Sequence, residues 1–156
     1  MRNPAASSQG MSSMSDRYFI DTNILIYSFD SGNLPMRKIA RELVSRALEK
    51  GTGIISCQVI QEFLNVATRK FAVPLSIKDA QRYLNVVLEP LCEVFPSMEM
   101  FHQALEISDQ WRFPFYDALI VAGALQADCR VLYSEDMQDS QTIKGLIIQN
   151  PFKTRP

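Results

Sequence analysis

Four carboxylates stand out among the 17 acids of this chain: Asp21, Glu62, Asp117 and Asp136. Asp21 follows the apolar run Tyr18-Phe19-Ile20. Asp117 lies between Phe113-Pro114-Phe115-Tyr116 and Ala118-Leu119-Ile120-Val121. A charge in such company is costly to bury unless it is paired or binds a cation. Each acid also has a plain structural reading. Asp117 suits a helix N-terminus, Asp21 suits a turn, Glu62 suits the solvated face of a helix, and Asp136 sits in the polar run 134–140. If the four meet, charge decides the chemistry. Two carboxylates ~4 Å apart repel by ~4 kcal/mol at an effective dielectric near 20. Three or four together need protons or a cation. His102 is the only histidine, and Cys57, Cys92 and Cys129 are widely spaced, which argues against zinc on nitrogen and sulfur. A hard divalent ion held by oxygen, Mg²⁺ or Mn²⁺, fits best.

The elements needed to bring them together can be read from apolar spacing. Residues 17–20 read as a strand that ends at Asp21 and runs into a loop or short helix. Residues 35–50 form an amphipathic helix, with Ile39, Ala40, Leu43, Val44, Ala47 and Leu48 on one face, Pro35 in its first turn and Gly51 as its stop. Residues 53–56 read as a buried strand and 58–70 as a helix capped by Ser56. Ser76, with Asp79 three residues on, starts a further helix that Pro90 is expected to end. A short strand at 92–95, helices at 97–111 and 115–127, and strands at 130–134 and within 145–151 complete the series. Strands alternating with helices predict an α/β layer structure with a mainly parallel sheet. Such sheets bind ligands beyond the carboxyl ends of their strands, which is where all four acids are expected to fall.

Composition bounds the rest. The 156 residues suffice for one domain. The longest apolar run, 118–125, is too short for a membrane span. Residues 1–16 are polar, lack the apolar core of a signal peptide and read as a disordered leader or a cloning remnant, with Met11 or Met14 as natural starts. The odd cysteine count predicts buried free thiols in a reducing cytoplasm. Net charge is −1, but residues 1–78 hold 10 Lys and Arg against 6 acids, and residues 79–156 hold 6 against 11. A nucleic-acid partner would need a local basic face. There is no phosphate-cradling G-x-x-x-x-G-K-[ST] loop, and Asn23 stands where a D-x-D phosphatase would need a second Asp.

Phe19-Ile20-Asp21-Thr22-Asn23-Ile24-Leu25 resembles the opening motif of PIN domains. Glu62 within Val59-Ile60-Gln61-Glu62-Phe63 resembles the second motif, Tyr116-Asp117-Ala118-Leu119-Ile120 the third, and Leu132-Tyr133-Ser134-Glu135-Asp136 the fourth. The order and spacing of all four carry the resemblance, which spans nearly all of the expected domain, 17–152. It implies a three-layer fold with a mostly parallel sheet of about five strands flanked by helices. It implies a metal-dependent endoribonuclease, with Asp21, Glu62, Asp117 and Asp136 as catalytic and metal-site acids. Thr22, Asn23 and Ser134 would support them, with Asp139 as a further support. Glu135 and Asp139 also compete with Asp136 for the fourth place. Similarity to VapC-like members implies the toxin of a toxin–antitoxin pair, a cytoplasmic protein with RNA as substrate, a cognate antitoxin as partner and a homodimer as assembly. RNA contacts would fall to Arg37, Lys38, Arg41, Arg69, Lys70 and Arg112, with Trp111, Phe113, Phe115 and Tyr116 available to stack on bases. The alternative is a catalytically inactive PIN-fold module that binds RNA or protein.

Overall fold

A computed structural model describes residues 16–153. Strand β1 (Tyr18–Ile20) is buried along its whole length, as its unbroken apolar sequence requires. Helix α1 (Thr22–Tyr27) follows at once, capped by Asp21. Helix α2 (Leu34–Lys50) is capped by Asn33 and stopped by Gly51, whose φ of 66° favours glycine. It buries Ala40, Leu43, Val44 and Ala47, while Leu48 stays exposed. Strand β2 (Gly53–Ser56) returns parallel to β1. Gly53 has to be glycine there, because a Cβ would stand 2.2 Å from that of Ala47 on α2.

Ser56 ends β2 and caps helix α3 (Cys57–Arg69) through its hydroxyl. Helix α4 (Ile77–Tyr83) is capped by Ser76, and the helical run it opens ends at Leu91, one residue past Pro90 and close to where the sequence predicts. A π-helical segment (Leu84–Leu88) carries it into α5 (Glu89–Leu91), and the Glu89 amide reaches back to the Leu84 carbonyl. Proline lacks an amide hydrogen and crowds the carbonyl four residues before it. Widening the preceding turn relieves that conflict and lets the chain continue. Strand β3 (Cys92–Val94) then pairs parallel with β2.

Helix α6 (Met98–Trp111) ends at Arg112, which takes the left-handed conformation at φ 60°. Helix α7 (Phe115–Gln126) is buried from Ala118 to Ala124, so its sequence is apolar all round. Strand β4 (Val131–Tyr133) pairs parallel with β1, and β6 (Leu146–Gln149) pairs parallel with β4. Between them in the chain, but at the sheet edge beyond β6, comes β5 (Thr142–Ile143), antiparallel to β6, a strand the sequence did not announce. Lys144 and Gly145 both have positive φ, 49° and 87°, the geometry of a two-residue hairpin loop.

The result is an α/β fold with a six-stranded sheet in the order β3-β2-β1-β4-β6-β5, parallel except for β5, and flanked by helices. One strand more than expected is present. Cys129 is buried, whereas Cys57 and Cys92 are half-buried with their sulfurs 4.0 Å apart, and all three thiols are free. Among the described residues no helix is long and apolar enough to cross a membrane. The leader expected over residues 1–16 lies outside the described residues, apart from Asp16.

Candidate active site

The strand order reverses between β1 and β4: the chain builds β2 and β3 on one side of β1 and β4, β5 and β6 on the other. Where an order reverses, the loops leaving the two strands diverge and open a crevice at the carboxyl edge. Asp21 leaves β1 at that point, and Ser134 to Asp136 leave β4 beside it. The Asp21 amide still donates to the Tyr133 carbonyl, at 3.0 Å, so the two loops start in register.

Asp21 is only 6% exposed. Its carboxylate accepts from the Thr22 amide at 2.7 Å, the Ser134 hydroxyl at 2.7 Å and the Asn23 side-chain amide at 3.3 Å. Burial pushes its carboxyl up to about 7. The Ser134 and Thr22 bonds oppose that rise, and the charges of Glu62 and Asp136 add to it. Ser134 is fully buried. Its one proton goes to Asp21, and its oxygen accepts from the Asp136 amide at 3.3 Å. Asn23 bridges two acids, donating to Asp136 at 2.9 Å as well as to Asp21, while its carbonyl accepts from the Glu135 amide at 3.2 Å.

Glu62 comes from the second turn of α3, and its carboxylate accepts from the Thr22 hydroxyl at 3.4 Å. Asp117 comes from the first turn of α7. Both carboxyls are raised above their ordinary values. For Glu62 burial leads, with the charges of Asp117 and Asp136 behind it and bonds from Gln58 and Thr22 opposing. For Asp117 burial leads and Asp136 adds. The four acids therefore share one neighbourhood and feel one another's charge. Among the described residues, no three of them stand close enough to hold one ion as they are arranged here. The donor set is nonetheless all oxygen, and although burial is the main cause of the three raised carboxyls, the repulsion between neighbouring acids that adds to it is the kind a divalent cation neutralises. On that chemistry the residues fit a hard metal ion.

Of the three acids competing for the fourth place, Asp136 is the one whose carboxylate accepts from Asn23, whereas Glu135 meets Asn23 through its backbone amide. Glu135 turns to the Tyr27 hydroxyl at 3.0 Å and pushes that phenol up to about 12. Asp139 accepts from the Asn150 amide at 2.7 Å, which braces the loop after β4 against the end of β6. Among the basic candidates, Arg37, Lys38 and Arg41 line a groove on α2, where Arg41 also donates to the Ser28 carbonyl at 2.8 Å. Lys70 lines a separate hollow with Asp30 and Phe71. Among the described residues no ion pair joins any of the six cations to the four acids. Trp111 and Phe113 pack on the core, whereas Phe115 and Tyr116 are 38% and 69% exposed.

Gln58 is a site residue the sequence reading missed. It donates to the Tyr116 carbonyl at 3.1 Å and bonds to Glu62, tying α3 to the start of α7. The available signal was its place four residues before Glu62, hence on the same helix face.

A family model described as the PIN domain matches residues 18–141. No curated protein matches the chain in sequence. Two solved structures align over most of it. One is a toxin–antitoxin complex from Klebsiella pneumoniae, 21% identical, covering 88% of this chain and 99% of that one with a TM-score of 0.61. The other is VapC20 from Mycobacterium tuberculosis, a sarcin–ricin loop cleaving toxin, 18% identical, covering 76% of this chain and 89% of that one with a TM-score of 0.52. At these identities the likeness is one of fold.

Proposed function

The chain belongs to the PIN-domain family, and from that footing we propose that it is a metal-dependent endoribonuclease, the toxin of a toxin–antitoxin pair. One observation carries the reading. Asp21, Ser134, Asn23 and Asp136 form a continuous hydrogen-bonded set at the point where the strand order reverses, with Glu62 and Asp117 beside them. A module that only binds has little reason to keep so repulsive a group. The folds it shares with a toxin–antitoxin complex and with an RNA-cleaving toxin support the substrate class and an antitoxin partner.

Asp21, Asp117 and Asp136 would hold Mg²⁺ or Mn²⁺, with Glu62 binding directly or through water. When bound, the ion supplies an activated water and neutralises charge at the scissile phosphate. The chain's own groups prepare for this. Ser134 and the Thr22 amide oppose protonation of the buried Asp21 and fix its direction. Asn23 holds Asp136 at a set spacing from Asp21. Thr22 and Gln58 orient Glu62. No side-chain nucleophile is required. A homodimer in the cytoplasm is the setting we propose for it.

The test is incubation of the purified protein with structured RNA in EDTA, Mg²⁺ or Mn²⁺, beside Asp117→Asn. Cleavage should need the metal and fall by at least about 100-fold in the variant, with an unchanged circular dichroism spectrum. A fully active Asp117→Asn protein would overturn the assignment of Asp117. Metal-independent RNA binding without cleavage would instead favour the inactive binding module.

A further inference from the structure

A hollow of about 410 Å³ has Gln58, which bonds to Glu62, in its lining. It sits between the first turns of α3 and of α7, and Gln58, Gln61, Met100, Phe101, Phe115 and Tyr116 are among its lining residues. We propose that it is a nucleobase subsite, which seats a base of the RNA strand adjoining the phosphate that is cut; this rests on the nuclease reading of the acids.

Gln61 directly precedes Glu62, and Tyr116 directly precedes Asp117. Gln58 belongs to both places, because it lines the hollow while bonding to Glu62 and to the Tyr116 carbonyl. Gln58 is thus the side chain that the hollow shares with the acid site, through Glu62. A strand with its phosphate at the acids would bring a neighbouring base to the mouth of the hollow.

No charged side chain lines the hollow, so it offers a phosphate no neutralising cation. Its walls are aromatic and apolar, and two side-chain amides, Gln58 and Gln61, stand at its polar side. A planar, neutral ring with hydrogen-bonding edges matches that combination: the faces stack on aromatics and amides read the edge. Phe115 and Tyr116 meet edge to face at 5.8 Å, and both keep surface open to solvent. The size is within the range of pockets that hold small organic groups.

Two arms test this. In the first, cleavage of a random-sequence RNA pool in Mn²⁺ is sequenced for wild type, Tyr116→Ala, Tyr116→Phe and Gln61→Ala. Both substituted residues are exposed, so folding is not at stake. Wild type should show a base preference at one position beside the cut. Tyr116→Ala and Gln61→Ala should flatten it and raise KM about tenfold, and Tyr116→Phe should restore it. An unchanged preference and KM in both alanine variants overturns the subsite. The second arm needs no cleavage. Adenosine, guanosine, cytidine and uridine are titrated in EDTA while the side-chain amide signals of Gln58 and Gln61 are followed by NMR. Saturable shifts with at least one nucleoside, lost in Tyr116→Ala, support the subsite even if the protein cuts no RNA. Shifts with phenol or indole but with no nucleoside would mean that the hollow takes a protein side chain, and would overturn it.

Discussion

Asp21 stands under opposing demands. Burial and two neighbouring acids favour its neutral form, whereas the bonds from Ser134 and Thr22 favour the charged one. The balance leaves its carboxyl at about 7 in the folded protein, against 3.8 for an ordinary Asp. Between those values the folded protein keeps a proton that the unfolded chain has released. The stability this contributes is therefore complete below about 3.8 and is lost as the pH rises through about 7. Glu62 and Asp117 are shifted in the same direction. Metal-free protein should thus melt at a lower temperature at about pH 8 than at about pH 5, and Mg²⁺ should recover part of the loss. Asp21→Asn should flatten the dependence, melt higher than wild type at about pH 8 and lose cleavage. Thermal melts in EDTA across pH would check this, and a flat wild-type profile would contradict it. Ser134→Ala removes a buried hydroxyl that Asp21 and the Asp136 amide both use. It should cost about 1–3 kcal/mol in denaturant titration and lower activity by roughly 10- to 100-fold. Asp21 and Asp117 were legible in the sequence because a charge among apolar neighbours announces itself. Asp136 was not separable from Glu135 and Asp139, since the choice turns on Tyr27 and Asn150, which only the folded chain brings near.

The helices owe their placement to caps and periodicity that any reader of the sequence can find: Ser56, Ser76 and Ser97 each cap one, and Gly51 stops another. Two features were hidden for definable reasons. In the run from Leu84 to Leu91 the stop near Pro90 was legible, but the π-helical turn before it was not, because no local signal separates it from an ordinary helical turn. Strand β5 has only two residues and no alternation to read; it exists because Lys144-Gly145 turns the chain back onto β6. Lys is a poor occupant of a left-handed position, where Asn before Gly is favoured. Lys144→Asn should therefore raise stability by about 0.5–1 kcal/mol with activity unchanged, as measured by denaturant titration and RNA cleavage. Gly53→Ala should do the reverse. Its methyl would collide with Ala47, forcing β2 and α2 apart, and a loss of about 1–3 kcal/mol is expected.

Taken as one body, the protein has almost no net charge, yet its proposed substrate is a polyanion. Binding must depend on where cations sit, and the groove on α2 that carries Arg37, Lys38 and Arg41 gathers three of them on one helix. If that groove holds phosphates, Arg37→Ala with Lys38→Ala should weaken RNA binding and make it less sensitive to salt. On a single strand the slope should fall by about 0.7 for each phosphate no longer neutralised; unchanged salt slopes would remove α2 from the substrate path. The sheet adds a constraint of another kind. Asp21 and Ser134 are 113 residues apart in the chain, and they meet only because β4 pairs with β1. While the protein is being synthesised, the first acid therefore emerges long before the residues that complete its site. A chain still on the ribosome, surrounded by RNA, lacks the paired β4 that brings Ser134 and Asp136 to Asp21. On the proposed reading, a capacity to cut would arrive only once β4 has been made and has paired with β1, so topology itself would separate manufacture from activity.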